Sequence, residues 1–117
     1  VKCGVIRSDG RLIVSTAWRA DRAWSRLRGL LGREPLRADR GEALWLVPCG
    51  SVHTIGMGYP LDLVFLDRQG GVIDCHEHVG PWRVRGARGA HQTIEFASGA
   101  LRRLKPRLGD AWTWELA

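Results

Sequence analysis

The sequence predicts a mainly β fold, a compact sandwich or partly closed barrel with one amphipathic helix packed on it. Three observations carry that reading. Short runs rich in β-branched and aromatic residues recur along the chain, turn signals separate them every ten or so residues, and a single stretch switches to helical spacing. A series of short strands of this kind is the pattern of sandwiches and barrels. The 117 residues correspond to one domain, with no internal repeat and no linker. With 44% apolar and 26% charged residues, the chain can build a core without disulfide or metal staples.

Taken in order, Cys3–Arg7 and Arg11–Ala17 flank Ser8-Asp9-Gly10, which predicts an opening hairpin. Ala23, Trp24, Leu27, Leu30 and Leu31 then recur at helical spacing, with Arg22, Arg26 and Arg28 between them. Asp21 suits the N-cap and Gly32 the stop, so a helix is expected over about residues 22–31. Ala43–Val47 reads as a buried strand ended by Pro48, and Ser51–Ile55 as a short strand. Asp62–Asp67 and Val72–Val79 flank Gln69-Gly70-Gly71, a second hairpin. From Gly80 to Ala90 the composition turns to Gly, Arg and Pro, so an exposed, mobile loop is expected. Gln92–Ala97 alternates, Ala100–Lys105 fits a helical turn, and Ala111–Leu116 is a closing strand with Trp112 and Trp114 on one face.

Charge and cysteine content narrow the function classes. The net charge is +6, and the only lysines are Lys2 and Lys105. The arginines are spread along the chain rather than gathered in one run, which favours a compositional excess over a nucleic-acid footprint. Cys3, Cys49 and Cys75 lack the spacing of a zinc ribbon or a disulfide scaffold, so buried thiols are expected. That mildly favours a reducing, cytoplasmic compartment. The chain opens on Val1, so a removed N-terminal segment stays open. No apolar run has the length needed to span a bilayer.

Several blocks together resemble a known family. Arg26-Leu27-Arg28-Gly29-Leu30-Leu31-Gly32-Arg33 is similar to the arginine–glycine–leucine–methionine signature of domain-of-unknown-function family 192, with Leu31 in place of Met. Ser51-Val52-His53-Thr54-Ile55-Gly56-Met57 followed by Pro60-Leu61-Asp62-Leu63-Val64-Phe65-Leu66-Asp67 resembles the second signature in its His-Thr-x-Gly-Met form. Many members carry Trp-Met-Lys-Asn-Thr there, and nothing that rests on that Lys or Asn transfers to this chain. Ile94-Glu95-Phe96-Ala97-Ser98-Gly99 and Gly109-Asp110 complete the pattern over roughly residues 12–116. The resemblance implies a β-sandwich or barrel with a helix on one side, and no activity.

Ser51 and His53 are two apart and share a face on a strand, and Asp62 returns after a turn. Hydroxyl, imidazole and carboxylate are the parts of an activated nucleophile. Same-face neighbours on one strand stand about 7 Å apart, however, and no Gly-x-Ser-x-Gly elbow is present. Service to backbone groups around a tight corner is the favoured role for Ser51, His53, Thr54 and Asp62 over catalysis. The binding alternative lines a cleft with these side chains and with Arg26 or Arg33, whose guanidinium forks suit carboxylate and phosphate groups. His76 and His78 are weak metal candidates, with His53, His91 or Cys49 to complete a site. Trp82 is the indole placed to stack on a base or sugar ring, whereas Trp24, Trp112 and Trp114 fit packing positions.

The reading that follows is a non-enzymatic binding or accessory module for a polar or anionic small molecule or a protein partner. It places candidate ligand contacts at Arg26, Arg33, Ser51, His53, Thr54 and Asp62, with no cofactor and no metal. The alternatives are a hydrolase using Ser51, His53 and Asp62, and nucleic-acid binding through Arg83, Arg85, Arg88 and Trp82 of the 80–90 loop.

Overall fold

Asp9 and Gly10 both take positive φ, 49° and 84°, the geometry of a two-residue turn whose twist matches that of the strands it joins. They connect β1 (Lys2–Ser8) to β2 (Arg11–Ala20), with Ser8 opposite Arg11. The computed structural model describes residues 2–20, 36, 41–54 and 58–117. The elements that follow are β3 (Glu42–Leu46), β4 (Ser51–His53), β5 (Leu61–Leu66), β6 (Val72–Val79), β7 (Val84–Gly86), β8 (Gln92–Ala97), α1 (Ala100–Leu104) and β9 (Trp112–Leu116). The helix expected over about 22–31, with Arg26 and Arg33, lies outside the described residues.

Seven strands form one sheet in the order β6-β5-β8-β3-β2-β1-β9, and β4 pairs with β7 in a separate ribbon. All neighbours are antiparallel except β2 and β3, which run parallel. The fold is thus mainly β, as the strand pattern predicts. The sheet is not closed into a barrel, although its two edge strands meet at one end. There Val72 N–H donates to the Asp110 carbonyl at 2.8 Å, and Trp112 N–H donates to the Gly70 carbonyl at 2.9 Å. Gly70 sits in the β5–β6 turn with φ of 90°, and a Cβ there would collide with the Trp112 carbonyl. Glycine is therefore required twice over, by conformation and by the close approach of β9.

Both faces of the large sheet are covered at β3, β5 and β8, because each face carries its own apolar cluster. One face gathers Ile6, Val14, Trp45, Val64, Leu66, Ile94, Phe96 and Trp112, and α1 adds Ala100 and Leu101. The other gathers Leu44, Leu46, Leu61, Leu63, Phe65 and Val79, with Val52 of the β4–β7 ribbon packed against it. Burial of each such aliphatic or aromatic side chain stabilises by about 1.5–3 kcal/mol. Strand β5 lies between β6 and β8 and is buried at all six positions. A polar residue in β5 or β8 therefore faces an interior whichever way it points.

The 80–90 segment differs from the expected loop, because Val84–Gly86 pairs with Ser51–His53 as β7. Its Gly, Arg and Pro content hides a strand whose order comes from β4 and not from its own propensity.

Candidate functional site

Asp62 is the most committed side chain of the motif corner. It is completely buried on β5, and its carboxylate accepts three backbone N–H groups: His78 at 2.8 Å on Oδ1, and Gly99 and Leu101 at 3.0 Å each on Oδ2. The first of these bonds fixes a bulge. Leu61 stands opposite Val79 but Leu63 opposite His76, so β6 carries one extra residue there. His78 takes the left-handed conformation, φ 51°, that such a bulge demands. The other two bonds receive the orphan amides at the start of α1, where Gly99 offers no side-chain cap of its own.

Thr54 does the same work for the ribbon. It is 1% exposed, and its hydroxyl donates to the Gly80 carbonyl at 2.7 Å while accepting from Arg83 N–H at 2.9 Å. Its backbone N–H donates to the Arg83 carbonyl and its carbonyl accepts from Trp82 N–H. These bonds hold Trp82 at a φ of 62° and leave it 67% exposed. Ser51 and His53 lie on the ribbon's solvent side, opposite Gly86 and Val84, and among the described residues neither side chain has a hydrogen-bond partner. No hydrogen bond joins Ser51, His53 and Asp62, and both Asp62 oxygens are occupied by backbone donors. The corner thus divides into two buried side chains spent on backbone and two exposed ones that are not.

Pattern reading passes over Glu95. It lies on β8 between Leu44 of β3 and Leu63 of β5, facing the second apolar cluster, and is 7% exposed. Among the described residues its carboxyl has no hydrogen-bond or ionic partner. Burial pushes its pKa from 4.5 up to about 7. One strand beyond Leu63, His76 stands edge-on to Phe65 and bonds Asp74 through Nε2 at 3.0 Å. His78 turns away at the bulge, and its Nδ1 pairs with the Ser98 hydroxyl at 2.6 Å. The two histidines therefore have separate partners. Among the described residues no group of three or more His, Cys, Asp or Glu side chains is placed to hold a metal ion. The Cys75 thiol on β6 is pushed up to about 11 by burial, and by the negative charges of Asp74, Asp110 and Glu77. Such a thiol is a poor nucleophile at neutral pH.

Among the described residues the architecture is that of a small β domain with a curled seven-stranded sheet, one short helix and a two-stranded ribbon. The chain belongs to domain-of-unknown-function family 192, described as an uncharacterised ACR, which it matches over residues 4–114. No curated protein matches it. Two crystal structures share the fold. One is of a candidate transcription regulator from Sinorhizobium meliloti 1021, with TM-score 0.81, 20% identity, and coverage of 97% of this chain and 96% of that one. The other is of a protein of unknown function from Novosphingobium aromaticivorans DSM 12444, with TM-score 0.79, 19% identity, and coverage of 96% and 84%. At these identities the likeness establishes the fold alone. Among the described residues no helix is long and apolar enough to cross a membrane.

Two outcomes follow from this geometry. Asp62→Ala leaves one buried and two part-buried amides without their acceptor, at up to about 1–3 kcal/mol each. A loss of about 10 °C or more in Tm is expected by calorimetry, with Asp62→Asn losing less because its carbonyl still accepts. For Glu95 the native state holds its proton where the unfolded chain has already released it. Stability is therefore expected to fall as pH rises from 4.5 to about 7, by up to about 3 kcal/mol, and to stay lower above that. Denaturant titrations across this range should show the slope in the wild type and its absence in Glu95→Gln.

Proposed function

We propose that this protein is a non-enzymatic binding module that offers the outer side of the β4–β7 ribbon to a polar or anionic ligand. The observation that carries the reading is the division of labour at the corner. Asp62 and Thr54 are consumed in holding backbone, whereas Ser51 and His53 are exposed on the ribbon with their side chains unspent, and Trp82 is exposed at the ribbon's end. A hydroxyl and an imidazole supply donors and acceptors, and an exposed indole supplies a stacking surface for a sugar or base. Arg83, also exposed on the ribbon, adds a cation for a phosphate or carboxylate. A hydrolytic reading loses its support because the third member of that constellation is occupied.

Nucleic acid is the second reading, favoured by exposed Trp82, Arg83 and Arg88 on one segment. The description of the Sinorhizobium relative as a candidate transcription regulator makes it a natural probe.

The test is a thermal-shift titration of the protein with adenosine monophosphate, glucose 6-phosphate and a single-stranded oligonucleotide. Binding to the native state raises Tm by mass action. A saturable rise that is lost in His53→Ala and in Trp82→Ala supports the ribbon site, and steep weakening with salt assigns it to nucleic acid. A rise that survives both substitutions, or none with any probe, overturns the proposal.

A further inference from the structure

The end of the sheet where β9 meets the β5–β6 turn holds a cleft of about 220 Å³ lined by Arg19, Trp45, Arg68, Gln92, Trp112 and Trp114, among others. Strand pairing places these residues. Arg19 of β2 stands opposite Trp45 of β3, and Gln92 opens β8 opposite Leu66, next to the β5–β6 turn that contributes Arg68. Trp112 and Trp114 come from β9, which the Gly70 contact draws against that turn. Ends of curled sheets of this type are common ligand sites, because the strands converge there on a space no side chain fills.

The polar atoms around this cleft are unequal. Trp45 Nε1–H donates to Gln92 Oε1 at 3.0 Å, Gln92 Nε2 donates to the Asp67 carbonyl at 2.9 Å, and Trp114 Nε1–H donates to the Ala17 carbonyl at 2.9 Å. Those groups are spent. Trp112, only 2% exposed, has a buried Nε1–H with no acceptor among the described residues, and Arg19 Nε is buried with none either. Arg19 lies over the Trp114 ring at 5.4 Å from its centroid, and no carboxylate pairs with it among the described residues. An arginine cannot shed its proton to escape such a site. A buried donor without an acceptor costs about 1–3 kcal/mol, and more for a charged group. No carboxylate lines the cleft, and the Arg19 and Trp112 donors find no acceptor there.

We infer that this cleft is a binding site for a small oxyanion, a carboxylate or phosphate on a compact apolar body. The oxyanion accepts from Arg19 Nε–H and Trp112 Nε1–H, and the body rests against the indoles of Trp45 and Trp114. The volume equals roughly seven water molecules, which sets the ligand at a few heavy atoms beyond the anionic group. Arg68 from the turn adds a second cation at the rim.

The inference is independent of the ribbon proposal, and one experiment separates them. Intrinsic tryptophan fluorescence is titrated with sodium benzoate, sodium acetate and inorganic phosphate, with benzamide as the neutral counterpart of benzoate. At least one oxyanion is expected to give a saturable change that benzamide does not. Arg19→Gln, which keeps a half-buried polar side chain, should weaken that binding about tenfold or more. Trp112→Phe, which keeps the ring and removes the N–H, should weaken it several-fold, and His53→Ala should leave it unchanged. No saturable response of the wild type to any of the three anions would overturn the inference. Equal affinity of Arg19→Gln and wild type would do the same, since the anion would then bind elsewhere.

Discussion

One buried carboxylate holds together the parts of this domain that the sheet alone does not specify. Asp62 reaches from the middle of β5 to three backbone amides on two other segments, the bulge of β6 and the start of α1. Neither segment is ordered by its own sequence. A β-strand does not favour His in a left-handed conformation, and five helical residues after a glycine cannot sustain a helix unaided. The carboxylate supplies the acceptor that both lack. Seating α1 in turn places Ala100 and Leu101 in the apolar cluster against that face of the sheet.

The rest of the polar interior sorts by the same criterion, whether a group is spent on the fold. Asp62, Thr54, Gln92 and Thr93 each bond backbone or a neighbouring side chain, Thr93 through its hydroxyl to the Cys49 carbonyl at 2.9 Å. Glu95, Arg19 and the Trp112 indole are buried or partly buried without such partners among the described residues. Folding leaves them at a cost, and marginal stability makes unspent polar groups the informative ones. Glu95 answers its burial by holding a proton to near neutral pH. Arg19 has no such route and is left with the ring of Trp114 alone.

Much of the fold was legible because turns and periodicity are local. Ser8-Asp9-Gly10 and Gln69-Gly70-Gly71 mark their hairpins directly, and Leu-Asp-Leu-Val-Phe-Leu at 61–66 reads as a buried strand. What escaped depends on partners distant in the chain. Strand β7 exists because β4 and Thr54 dock it, and the bulge at His78 exists because Asp62 lies across from it. Glu95 escaped because alternation with Ile94 and Phe96 suggests a solvated face. In a central strand with both faces covered no such face exists. Arg19 is one arginine among many, and nothing in spacing distinguishes one with a buried, unpartnered Nε from a fully solvated one. Trp112 reads correctly as a core residue, yet its orphan N–H is a matter of three-dimensional placement.

The structural role of Asp62 is tested most directly by amide hydrogen exchange, residue by residue, in the wild type and in Asp62→Asn. The amides of His78, Gly99 and Leu101 are expected to exchange as slowly as those of the fully buried strand β5 in the wild type. In the variant they should lose protection well beyond the general loss. Fast exchange at these three amides in the wild type, like that of exposed turns, would contradict the role assigned to the carboxylate and remove the basis for reading the motif corner as structural.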